Sequence, residues 1–169
     1  MQGLTASGVS VCVCIGVLAG CGADQKKSGS QELPAQASAP TEEGQRLKTY
    51  SQKLEADVAQ VSLKPGGKVS IRVKVTNTSG DTWFGRAPVK WVDASYRWLD
   101  ESGEMIVEGK RTLLNKTVVG PGETDALTMV IDAPGKPGRY TLLISMVQEG
   151  EAWFFSEGTQ PLLIPAIVT

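Results

Sequence analysis

The stretch KVSIRVKVTN, Lys68 to Asn77, alternates without a break. Val69, Ile71, Val73 and Val75 fall on one side of an extended chain, and Lys68, Ser70, Arg72 and Lys74 on the other. Period two sustained over this length predicts a β-strand with one face in a core and one in water. Leu63-Lys-Pro-Gly-Gly67 supplies a turn before it, so Asp57 to Leu63 is expected to be its partner strand.

The same texture continues downstream. Val92, Ala94, Tyr96 and Trp98 alternate with Asp93, Ser95 and Arg97, and Asp100-Glu-Ser-Gly103 closes that strand with turn residues, leaving Glu104 to Val107 for a hairpin return. Leu127, Met129 and Ile131 follow Gly120-Pro-Gly-Glu123; Tyr140, Leu142, Ile144 and Met146 follow Ala133-Pro-Gly-Lys-Pro-Gly138. Trp153 to Phe155 and Pro161 to Val168 complete the set, with Pro161 and Pro165 marking the last strand as an edge or bulged strand. About seven to eight short strands with no helix among them predict an all-β, antiparallel sandwich over residues 54–169. That length matches the roughly 100 residues of an immunoglobulin-like sandwich.

The first residues read differently. Gly8 to Leu18 is apolar and uncharged but shorter than the ~20 residues of a spanning helix, as in the h-region of a signal peptide. The alternative is a core strand holding Cys12 and Cys14 as small hydrophobes. Leu18-Ala19-Gly20-Cys21 resembles the lipobox of bacterial lipoproteins. The resemblance implies cleavage after residue 20, acyl chains such as palmitate on Cys21, and a mature chain with no disulfide. It also implies a lipid-anchored place in the cell envelope, at the outer membrane of a double-membraned cell because Gly22 and Ala23 follow the cysteine. Residues 21–53 then form a linker rich in Gln, Ser, Ala, Pro, Glu and Lys, expected to be disordered with a reach of about 25 to 30 Å. Thr41-Glu42-Glu43 is suited to open a short helix toward Lys53, against which Gly44 works.

Charge and residue types narrow the function. With 17 basic and 18 acidic residues, a net charge of −1, the chain lacks the basic excess that nucleic-acid binding draws on. It has no histidine, the commonest general base and metal ligand. No Gly-x-Ser-x-Gly elbow occurs, and the acidic pairs Asp100/Glu101 and Glu149/Glu151 flank turns, where solvated side chains are expected. The expectation is a non-enzymatic protein with no cofactor and no metal.

PGGKVSIRVKVTNTSGDTWF, SYRWLDESG and VVGPGETDALTMVIDAPGKPGRYTLLISMVQEGEAWF together resemble bacterial immunoglobulin-like modules of envelope lipoproteins and surface-polysaccharide systems. Pro137-Gly-Arg-Tyr140 resembles a tyrosine corner, with Leu142 where an antibody domain would carry its second cysteine. The resemblance implies a binding module for envelope polysaccharide or a partner protein. NTSGDTWF and EAWFF also resemble, more faintly, loops of immunoglobulin-fold protease inhibitors, the alternative function. Tyr96 and Trp98 are expected in the core, and Tyr140 in a structural role. Trp83, Phe84, Trp153 and Phe154, beside loop sequences, are the candidate ligand-binding residues, able to stack on a sugar or anchor a protein. Trp91 is out of phase with its strand, which puts it in a second layer or on the surface.

Overall fold

The computed structural model describes residues 45–87 and 90–169. The expected signal peptide, Cys21 and residues 22–44 of the expected linker lie outside them.

Among the described residues the strands are β1 (Gln52–Ala56), β2 (Val61–Leu63), β3 (Lys68–Asn77), β4 (Trp83–Phe84), β5 (Val92–Leu99), β6 (Met105–Glu108), β7 (Thr112–Leu113), β8 (Val118–Val119), β9 (Thr124–Asp132), β10 (Gly138–Gln148), β11 (Ala152–Trp153) and β12 (Leu162–Val168). One 3-10 turn, Phe154–Glu157, stands between the last two. The smaller sheet has the order β1-β3-β9 and the larger β2-β12-β10-β5-β6, with β11 added on β10 and β7 on β5; β4 and β8 form a separate ribbon. Taking β1, β3 and β9 as strands A, B and E, and β5, β10 and β12 as C, F and G, gives the two sheets of an immunoglobulin-like sandwich. The chain is therefore all-β and immunoglobulin-like.

The strand expected over 57–63 as the partner of β3 is displaced: β1, at Gln52–Ala56, takes that place, and only Val61–Leu63 forms a strand, in the larger sheet. β1 pairs antiparallel with β3, and after a turn at 57–60 β2 pairs parallel with the end of β12. Asp57 marks the crossing, its amide donating to the Arg72 carbonyl at 3.1 Å and its carboxylate accepting from the Arg72 amide at 3.1 Å. β12 has β2 beside only Ala166 to Val168, so Pro165 falls where that edge is open and no donor is missed.

Between the sheets, Ile71, Val73, Val75, Leu127, Met129 and Ile131 face Ala94, Tyr96, Trp98, Leu142, Ile144 and Met146, all buried. The Trp98 indole donates to the Asp132 carbonyl at 2.8 Å, and the Tyr96 hydroxyl accepts from the Asp132 amide at 2.9 Å, so both rings enter the core with their polar ends satisfied. The Tyr140 hydroxyl donates to the Lys136 carbonyl at 3.0 Å, which completes the tyrosine corner. Leu142 is fully buried, and packing does the work of the missing inter-sheet disulfide.

Residues 45–51 are extended, without a helix, and are held to the sandwich. Leu47 is buried in the core cluster. Its amide donates to Gln148 Oε1 at 3.0 Å, as does the Tyr50 hydroxyl, while Gln148 Nε2 donates to the carbonyls of Gln45 and Lys90 at 2.7 and 3.0 Å. The Asp81 carboxylate accepts from the amides of Lys48 and Thr49 at 2.9 and 2.8 Å. The packed domain thus starts ahead of the boundary expected at residue 54.

Candidate interaction surface

Cross-strand registry decides what lies on the outer face of the larger sheet. On β5 the residues out of phase with the core are Asp93, Ser95 and Arg97; opposite them on β10 stand Val147, Ser145 and Leu143. All but Arg97 are buried, although they face away from the core, because a second layer lies over them. That layer comes from a tight turn after β10. Gly150 takes φ 75°, the Glu151 amide donates to the Gln148 carbonyl at 3.0 Å, and β11 runs back along β10 with Trp153 opposite Val147.

Trp153 and Phe155 project from this return, their ring centroids 5.4 Å apart. The Arg97 guanidinium lies 4.3 Å from the Trp153 centroid and 5.2 Å from that of Phe155, and Arg111, just ahead of β7, lies 5.1 Å from the Trp153 centroid. Cation–π attraction of this kind contributes roughly 0.5–2 kcal/mol per contact. The guanidinia are also held by carboxylates. Glu108 Oε2 accepts from Arg97 Nη2 at 2.8 Å, Glu108 Oε1 from Arg111 Nη1 at 3.0 Å, and Glu149 accepts from Arg111 Nε. Burial acts to raise the Glu108 carboxyl, but the bonds from Arg111 and Arg97 prevail and hold it below its ordinary value. The paired serines make room: Ser95 and Ser145 are small, and Ser95 Oγ accepts from Arg111 Nη1 at 3.1 Å. Two arginines against two glutamates leave this ridge nearly neutral.

Beneath it, Asp93 is 1% exposed. One carboxylate oxygen accepts from the Trp91 indole at 2.7 Å, while the other has no hydrogen-bond partner among the described residues. Burial first, reinforced by Glu149 and opposed by the Trp91 bond and Arg111, pushes its carboxyl up to about 6. Such a value suits acid–base chemistry, but a sealed carboxyl does not reach a substrate. Trp91 is half-buried on this outer side, the surface alternative for that residue. Among the described residues no group of three or more metal-ligating side chains occurs.

The four aromatic residues expected to touch a ligand separate. Trp83 and Phe154 are wholly buried; Phe154 packs edge-on against Trp83 at 5.3 Å and against Tyr50 at 5.1 Å, closing one end of the core. Their expected role in ligand contact gives way to core packing, because a ring with no solvent-facing atoms has nothing to offer a ligand. Phe84 is half-buried in the β4–β8 ribbon. Trp153 alone of the four joins the ridge, and at least one face of its ring is engaged by Arg97. Arg97, Arg111 and Glu108 were not expected there. Arg97 carried a readable signal, since it sits at the outward phase of an alternating strand; the others are brought in by turns whose paths local pattern does not specify.

The NTSGD loop is tied inward. Asn77 Nδ2 donates to the carbonyls of Asp81 and Val119 at 2.8 and 2.9 Å, and Asn77 Oδ1 accepts from the Ser79 amide and hydroxyl at 3.0 and 2.7 Å. The loop is thus fixed in one conformation, with Trp83 behind it in the core.

No family model matches the chain, and no curated protein matches it significantly. Solved structures resemble it at low identity. A CARDB domain from Pyrococcus furiosus is 15% identical over 78% of this chain and 98% of that one, with a TM-score of 0.44. A family 123 glycoside hydrolase from Clostridium perfringens is 12% identical over 70% of this chain and 27% of that one, with a TM-score of 0.40. The chain thus spans about a quarter of that hydrolase. An alkylpurine DNA glycosylase from Pseudomonas fluorescens is 12% identical over 69% of this chain and 30% of that one, with a TM-score of 0.37. The fold assignment rests on the strand order described above.

Proposed function

We propose that the chain is a non-enzymatic envelope lipoprotein whose sandwich engages a protein partner on the outer face of its larger sheet. Cys21 carries the acyl chains that hold it at a membrane, and residues 22–44 set its reach. Stable anchoring needs more than one chain, at ~0.8 kcal/mol per buried methylene. The observation that supports the binding role is the ridge of Arg97, Trp153, Phe155 and Arg111, since Trp and Arg are the residue types most often dominant in interfaces. A protein is favoured over a polysaccharide because sugar stacking needs open ring faces, and Trp83 and Phe154 offer none while Trp153 already stacks on Arg97.

Two measurements test the reading. Labelling cells with an alkyne analogue of palmitate, followed by membrane fractionation, should show label and membrane partition in the wild type and neither in Cys21→Ser. A Cys21→Ser protein that stays with the membranes removes the anchor. A photo-crosslinker at Phe155 should give a discrete protein adduct. Retention on an envelope polysaccharide that Trp153→Ala abolishes would transfer the ridge to a sugar ligand.

A further inference from the structure

The edges of the two sheets are not alike. β2 is three residues long, and β1 carries Lys53 and Glu55. The free side of β9 is covered by the loop ahead of β8, where Asn115 Nδ2 donates to the Ala126 carbonyl at 2.6 Å and the amides of Asn115 and Lys116 donate to Asp125 at 2.7 and 3.0 Å. Short length, charge and a covering loop are the usual protections of an edge strand. Among the described residues nothing covers β6 in this way, and it shows Met105, Ile106 and Val107, three consecutive large apolar side chains, at 47%, 42% and 42% exposure.

The backbone of β6 is available as well. The Gly109 amide donates to the Tyr96 carbonyl at 2.8 Å, so the antiparallel ladder turns Val107 toward β5 and Glu108 toward the open side. A register shift next to Trp98 and Leu99 leaves Ile106 without a cross-strand partner. Around this segment the hairpin is acidic, with Asp100, Glu101 and Glu104, while Glu108 is taken up by Arg97 and Arg111. Lys110, its nearest cation beyond β6, pairs instead with Asp132 at 3.5 Å.

We propose that β6 is a docking edge at which an extended segment of a protein partner, apolar with flanking Lys or Arg, adds a strand to the larger sheet. Backbone hydrogen bonds supply affinity in strand addition, and alternate side chains supply selectivity. Apolar residues of the guest lie along Met105, Ile106 and Val107, and its cations meet Glu101 and Glu104. A second copy is a poor guest, because its β6 is flanked by Glu104 and Glu108 and lacks the cations that Glu101 and Glu104 would attract. The inference rests on the reading of the chain as a binding module, names a different part of the same sheet from the Arg97–Trp153 ridge, and is independent of the lipid anchor.

The test uses the full chain in detergent and a fluorescent eight-residue peptide of alternating Val and Thr between terminal Lys residues. Fluorescence anisotropy should show binding at least about tenfold tighter, or 1.4 kcal/mol, than that of the same peptide with terminal Glu residues. N-methylation of alternate peptide amides should abolish binding, as should Ile106→Lys and Ile106→Pro, with far-ultraviolet circular dichroism confirming that each variant keeps its sheet. Leu163→Ala, at an exposed position of β12, should leave binding unchanged. Loss with Trp153→Ala but not with Ile106→Lys would overturn the edge and leave the ridge standing. Equal binding of the acidic or N-methylated peptide would overturn it outright. Dimers in sedimentation that Ile106→Lys dissolves would replace the partner with a second copy.

Discussion

Substituting Asp93 by Asn tests the account of the outer face most directly, because the structure gives the sign and the size of the effect. Burial raises the carboxyl from 3.8 in the unfolded chain to about 6 in the fold. The folded state therefore holds the proton more tightly, and the contribution of this group to stability is greatest below about pH 4, declines as pH rises through the window, and is constant above it. A displacement of about two pH units corresponds to up to roughly 3 kcal/mol. Asp93→Asn removes that slope. The introduced carboxamide still accepts from the Trp91 indole and, like the protonated acid, places a donor where the unbonded Asp93 oxygen has no partner, so in acid the two proteins differ by one further amide hydrogen, at a cost of about 1 kcal/mol. As pH rises the wild type alone loses the proton's contribution, so Asp93→Asn should lie about 1 kcal/mol below the wild type near pH 4 and up to about 2 kcal/mol above it near pH 7. Urea unfolding followed by tryptophan fluorescence reads this difference. A gap between the two proteins that stays constant with pH would refute the reasoning, since it would mean that Asp93 is ionised alike in both states.

Three further substitutions have defined outcomes. Gly109→Ala should destabilise by about 2–3 kcal/mol in thermal or urea unfolding, because a Cβ there would overlap the Tyr96 ring whose hydroxyl bonds to β9. Gln148→Ala should cost about 2–4 kcal/mol and expose the bonds after Arg46 and Lys48 to trypsin, since one buried amide holds Leu47, Tyr50, Gln45 and Lys90 together. Trp83→Phe should cost less than about 1.5 kcal/mol, as the lost contact area is offset by removal of an indole N–H that is buried without a partner. A loss above about 3 kcal/mol would show that the indole makes a bond not accounted for.

What the sequence reveals of this fold follows from how local its causes are. β3 is legible to the residue because every alternate side chain from Val69 to Val75 is aliphatic, and Tyr96 and Trp98 read as core because they share the phase of Val92 and Ala94. The tyrosine corner is legible because it spans four residues. The change of sheet between β1 and β2 is not, for nothing in EADVAQVSL states where the chain leaves one sheet for the other; the partners, Arg72 and Ala166, lie far along the chain. The site divides the same way. Trp153 and Phe154 are adjacent aromatic residues with opposite destinations, and the 3-10 turn after β11 is what sends one out and the other in. Asp93 and Ser95 have the composition of solvated positions, yet both are buried, because the layer over them comes from a return strand more than 50 residues away in sequence.

The clamp on residues 45–51 also determines how this domain answers a mechanical load. A pull delivered through Gln45 does not reach the end of β1 first; it meets Gln148, Glu151, Asp81 and the Leu47 contacts, which belong to different parts of the fold and share the force. β1 is thereby spared being peeled from β3 one hydrogen bond at a time, and single-molecule extension from the N-terminal side should show a rupture of the clamp before the sheets give way.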